Sequence, residues 1–162
     1  MSRTNLLIMC LCMVALPACN ASSSDKAVRW YSPEQVELGA RVFADNCAQC
    51  HGLQAQGLVK DWKQRLPDGS YPPPPLNGSA HAWHHRLPLL VEIIQQGGAL
   101  YDGKMPGFKS SLSEAEQRAA IAWFQSLWSD EIYRLWAADR KSSDIPFAPV
   151  PMTGKETNTD GE

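Results

Sequence analysis

The chain has 162 residues, a formal net charge of −2 and a pI near 6.1, a length that points to one domain, and a small one once its polar ends are set aside. It carries no Lys/Arg tract and no basic excess, which excludes the electrostatic footprint of a nucleic-acid binder. Six tryptophans are many for this length, and five of them fall between Trp62 and Trp136, where the apolar body is expected.

Residues 1–18 read as a signal peptide: Arg3 supplies the positive end, and Leu6 to Leu16 form an apolar run too short to cross a bilayer. The run ends in Leu16-Pro17-Ala18-Cys19, which looks like a bacterial lipobox with Cys19 as the lipidated first residue of the mature chain; cleavage as an ordinary secretory signal is the alternative. Either route exports the protein to the periplasm. Asn20 is not the aspartate associated with inner-membrane retention, so a lipid anchor at Cys19 points to the outer membrane. Residues 19–31 are small and polar, a tether between that anchor and a folded domain expected over 32–140.

The first helix opens at Ser32, with Pro33 at its first position and Gln35 completing a capping box. Val36, Gly39, Ala40, Phe43 and Cys47 then recur at three- and four-residue steps, the period of one helical stripe. The stripe runs into Cys47-Ala48-Gln49-Cys50-His51, where two thiols and an imidazole at i, i+3 and i+4 share a helical face. C-x-x-C-H is the spacing of covalent haem c attachment, in which the thiols add across the vinyl groups and the histidine ligates iron. A redox C-x-x-C pair and half of a zinc site are the competing readings. The other three cysteines all lie within the first nineteen residues and supply no further zinc ligands to the domain.

From Gly52 to Pro75 the chain is irregular, with Pro67-Asp68-Gly69 and four consecutive prolines. Asn77-Gly78 marks another turn before His81-Ala82-Trp83-His84-His85-Arg86. That cluster has three readings: hydrogen bonding to haem propionates by His84, His85 and Arg86, plain surface or capping use, or a separate copper or zinc site on His81, His84 and His85. A middle helix is predicted over Pro88–Gln96, stopped by Gly97-Gly98. Met105 follows in Gly103-Lys104-Met105-Pro106-Gly107, a turn-forming setting that can present a thioether sulfur inward as a second iron ligand. Ser113 and Glu116 form a second capping box for a helix through Ala120, Trp123, Phe124 and Leu127, and Ser129-Asp130 open a further helix with Ile132, Leu135 and Trp136. Residues 141–162 are rich in proline, threonine and charge without apolar period, and are expected to be a disordered tail.

With its haem-attachment motif and a Met-Pro loop about fifty residues later, the chain from Ser32 to Trp128 resembles the class I monohaem cytochromes c. The resemblance implies an all-α fold of three principal helices, here with an extra C-terminal one, around one covalent haem c whose iron is held by His51 and Met105. It implies that Gly39 lets the last principal helix cross the first closely. It implies, too, that Pro74 of Pro74-Pro75-Leu76 offers its carbonyl to the His51 imidazole while Leu76 packs on the porphyrin. The expected function is one-electron transfer, without enzymatic turnover, between donor and acceptor proteins that dock transiently at the haem edge. Two other classes stand beside it: a haem-based enzyme or sensor with a displaceable Met105, and an envelope metal-binding protein using the histidine cluster.

Overall fold

The computed structural model describes residues 27–138. The expected signal peptide, the lipidated Cys19, residues 19–26 of the tether and the 141–162 tail lie outside the described residues. Four helices of at least nine residues make up the described body: α1 (Pro33–Asn46), α3 (Leu87–Gln96), α4 (Glu114–Ser126) and α5 (Asp130–Ala138), with one short helical turn, α2 (Ala48–His51), directly after α1. Two 3-10 turns, Ala82–His84 and Ala99–Tyr101, complete the regular structure, and no strand occurs among the described residues beyond an isolated bridge between Tyr71 and Gly103. The architecture is all-α, as expected.

Local chemistry explains the helix starts. Ser32 accepts from the Gln35 backbone N–H while the Gln35 side chain accepts from the Ser32 N–H, and Ser113 and Glu116 repeat the arrangement at α4. Each box satisfies amide donors that an isolated helix end leaves without partners. The middle helix begins one residue earlier than predicted, at Leu87, with Pro88 in its first turn, and stops at Gly97, whose φ of +86° suits glycine.

Helices α1 and α4 form the central crossing. At Gly39 an added Cβ would lie 1.9 Å from the Ala119 carbonyl oxygen, so only a hydrogen at this position lets the two backbones approach so closely. Four residues on, Phe43 meets Trp123 with ring centroids 4.3 Å apart. The buried face of α1 consists of Gln35, Gly39, Val42 and Phe43, turned from the predicted stripe so that Val42 is covered while Val36 and Ala40 are only half-buried. On α4 the expected Leu127 is exposed; Ala119 and Trp123 face Gly39 at the crossing, and Ala120, Ile121, Ala122 and Phe124 are the helix's other buried apolar residues.

The last part of the expected tether belongs to the folded body. Arg29 pairs with Asp130 at 2.6 Å and lies 3.9 Å over the Tyr133 ring, while Trp30 donates from its backbone to the Tyr133 hydroxyl and from its indole to the Gln125 side chain. Trp30 and Tyr31 pack against the core, and burial pushes the Tyr31 hydroxyl up to about 12. Ala27, Trp30 and Tyr31 therefore belong to the packed body, because α5 supplies a surface that covers the two aromatics.

Candidate functional site: a haem-attachment turn and a methionine loop

Cys47, Cys50 and His51 sit on one turn, fixed by hydrogen bonds from the Cys50 and His51 amides to the Cys47 carbonyl. His51 is buried, and its Nδ1 lies 2.9 Å from the Pro74 carbonyl oxygen. A carbonyl only accepts, so Nδ1 carries the proton and Nε2 keeps its lone pair, the tautomer a metal ligand needs. Burial lowers the imidazole pKa, against a smaller opposing effect of the Pro74 carbonyl, which keeps the ring neutral.

The acceptor is itself held in place. Leu76 and Asn77 donate backbone N–H groups to the Ala55 carbonyl, at 2.7 and 3.2 Å, and the Trp128 indole donates to the Leu76 carbonyl at 2.7 Å. Ala55 is fully buried with φ +52°, and Gly57 N–H returns to the His51 carbonyl at 2.7 Å. The structure thus brings Pro74 to His51 and leaves Leu76 half-buried against the core. Ala55 and Trp128 had no signal as supports of this segment, since neither an alanine at positive φ nor an indole donor fifty residues away leaves a local pattern.

These features discriminate between the readings of the motif. A redox dithiol works through a lowered thiol pKa, whereas burial, with a smaller contribution from Cys50, pushes Cys47 up to about 11. A zinc site needs more ligands, and among the described residues no group of three or more His, Cys, Asp or Glu side chains is placed to hold a metal ion. Two free thiols beside an imidazole of fixed tautomer fit haem c.

Met105 lies in a loop docked on the C-terminal end of α3. Its carbonyl accepts from Gly98 N–H at 2.9 Å, and Phe108 and Lys109 donate to the Ile94 and Gln95 carbonyls. Glycines make this approach possible: a Cβ on Gly97 would come within 2.5 Å of the Met105 oxygen, and one on Gly107 within 2.6 Å of the Gln95 oxygen. The methionine is half-buried.

The histidine cluster does not converge on a common point. His81 stacks on Trp62 with centroids 4.6 Å apart, His84 stacks on Trp83 at 3.7 Å, and only His85 meets His81, edge to face at 5.0 Å. Among the described residues no three such side chains are placed to hold a metal ion, so the separate three-histidine site is not assembled. Trp136 of α5 donates its indole N–H to the His85 carbonyl at 2.7 Å, so the extra helix positions this segment.

The family described as cytochrome c oxidase, cbb3-type, subunit III matches residues 34–124, more than half of the chain. The chain is a c-type cytochrome of that family. Its match starts inside α1 and ends inside α4, so it takes in the attachment turn, the Pro74 segment and the methionine loop. Two sequences of the cbb3-type cytochrome c oxidase subunit CcoP from Rhodobacter capsulatus are 38% and 35% identical to it over 96 residues. Those residues make up 55% of this chain and 28% of each relative, so this cytochrome spans little more than a quarter of the length of the curated relatives it matches. No solved structure matches it significantly. As a c-type cytochrome domain it carries covalently bound haem c with its iron.

Proposed function

We propose that this cytochrome is a one-electron carrier of the bacterial cell envelope in which His51 and Met105 would hold the haem iron. The observation that carries the reading is the pairing of a buried imidazole, fixed through Nδ1 to the Pro74 carbonyl, with a methionine whose loop is docked by backbone hydrogen bonds. The bound haem supplies exchange of a single electron at iron. Cys47 and Cys50 tether it as thioethers, and the Pro74 carbonyl orients the imidazole and raises its basicity. A thioether from Met105 would favour the reduced iron more than a second imidazole would, and so would raise the potential. Redox partners would then dock where the haem edge reaches the surface, through a small, short-lived interface.

The test is Met105→Ala in the holoprotein. Loss of the sulfur-to-iron charge-transfer band, a lower potential and new binding of carbon monoxide to the reduced protein are expected. An unchanged axial spectrum in this variant, with a change in His84→Ala or His85→Ala, would replace the thioether by a histidine and withdraw the high-potential carrier.

Attachment through Cys19 to the outer membrane, facing the periplasm, is the location we propose for the domain. No helix among the described residues is long and apolar enough to cross a membrane, and a lipid is the anchor that the Leu16–Cys19 motif offers. Cys19→Ser should release the protein from the membrane fraction with its haem spectrum intact. Identical fractionation of the two forms would remove the anchor.

A further inference from the structure

The long connection after the attachment turn does more than join elements. Its segment 65–71 closes on itself: Leu66 N–H bonds to the Ser70 carbonyl, Gly69 N–H bonds to the Leu66 carbonyl, and Asp68 accepts from both the Ser70 amide and hydroxyl. The resulting turn reaches across to three consecutive residues just before Met105. Tyr71 N–H donates to the Asp102 carbonyl at 2.9 Å, and Tyr71 bridges Gly103. Arg65 pairs with the Asp102 carboxylate at 2.8 Å while lying 4.2 Å over the Tyr71 ring, and Asp68 pairs with Lys104.

Each of these ion pairs is exposed, and one such pair alone contributes little. Their convergence on Asp102, Gly103 and Lys104 is what gives them leverage. Asp102 has the left-handed backbone, φ +56° and ψ +25°, that a side chain other than glycine adopts at a cost and that persists where the surroundings enforce it. On its other side, Gly103 N–H is bonded to the Gly98 carbonyl, the residue whose own N–H holds the Met105 carbonyl. The three residues leading into Met105 are thus held by the 65–71 turn, and Gly103 and the Met105 carbonyl by Gly98 just past α3.

We propose that residues 65–71 act as a strap whose Arg65, Asp68 and Tyr71 are positioning residues for Met105, setting how readily the thioether yields its place on the iron to an external ligand. The inference rests on the reading of Met105 as the axial ligand. Part of the hold is electrostatic and exposed, so it weakens as salt shortens the Debye length from about 10 Å at 0.1 M to about 3 Å at 1 M. Ionic strength would then tune how readily an external ligand displaces Met105, with no change in the residues offered to the iron.

The experiment titrates imidazole into the oxidised holoprotein, at a pH where imidazole is uncharged, for wild type, Arg65→Ala, Asp68→Asn and the double variant. The control is Arg41→Ala, which removes an equally short exposed pair with Glu37 on α1. The double variant should bind imidazole on the order of three- to tenfold more tightly than wild type, as loss of two exposed pairs permits. Wild type should approach it in 1 M salt, and the Arg41 variant should behave as wild type. Wild type that shows the charge-transfer band but shares its imidazole affinity and salt response with the double variant overturns the strap and leaves Met105 as ligand. Wild type without that band overturns the Met105 reading and the strap with it. Asp102→Asn, which keeps the tolerance for a left-handed backbone while removing the charge, should reproduce the Arg65→Ala shift; wild-type affinity there, too, counts against the strap.

Discussion

Gly97 shows how much a site can depend on an atom that is missing. Its φ of +86° lies where side chains are rarely found, and its α-carbon faces the Met105 carbonyl so closely that a methyl group would stand 2.5 Å from that oxygen. Gly97→Ala therefore meets a backbone penalty of about 1–3 kcal/mol and a steric one, and the Met105 loop is what must move. The expected outcome is a protein that retains haem but loses the sulfur-to-iron charge-transfer band on mild heating, well before helix content falls. Loss of band and helix together in one transition would place the glycine's role in the fold alone. Pro74 teaches the opposite lesson. Its contribution to His51 is a backbone carbonyl, held by the Ala55 and Trp128 bonds to its neighbours, so its side chain matters less than its place.

At the level of elements, the α1–α4 crossing carries the domain. Gly39 allows it, Phe43 and Trp123 fill it, and the attachment turn follows directly from the end of α1, so any shift in the crossing is passed to Cys47 and His51. A methyl group on Gly39 would overlap the Ala119 backbone, which cannot swing aside as a flexible side chain can. Overpacking of this kind costs about 1–3 kcal/mol. Gly39→Ala should lower the denaturation midpoint accordingly, read by helical circular dichroism, while the covalently held haem stays on the chain. A variant as stable as wild type would mean that the helices separate without loss. The helix α5 plays a different part: through Tyr133 and Trp136 it covers Trp30 and Tyr31 on one side and holds the His85 segment on the other.

For the molecule as a whole, the histidine cluster couples stability to pH. Burial first, then the neighbouring imidazoles, lowers the pKa of both His81 and His85. Unfolded, the same side chains titrate near 6.5. Their folded pKa values lie below that, so the unfolded chain binds more protons as the pH falls past the unfolded value, and stability present at neutral pH is progressively lost towards the folded pKa values. Denaturant unfolding of the holoprotein should show a midpoint falling between pH 7.5 and pH 5.5, roughly one unit either side of that 6.5. His81→Phe, which keeps an aromatic ring on Trp62, should flatten the profile. An equally steep profile in the variant would assign the proton uptake to other groups.

What this sequence determined by itself was whatever chemistry writes at short range. Two capping boxes, a proline in the first turn of α3, glycines at its stop and the C-x-x-C-H spacing are each settled by neighbours within a few residues. The reading of an all-α haem c domain came from them and agrees with the fold and the family. Other features depended on parts of the chain far apart in sequence. The Trp128 indole on the Leu76 carbonyl, the aromatics at residues 30 and 31 under α5, and the 65–71 turn on Asp102 and Lys104 join residues 31 to 103 positions apart, with no period or motif to announce them. The histidines make the same point: three imidazoles within five residues look like a ligand set in one dimension. In the folded chain His81 stacks on Trp62, which only tertiary packing brings to it, while His84 stacks on its sequence neighbour Trp83, so the imidazoles take different partners.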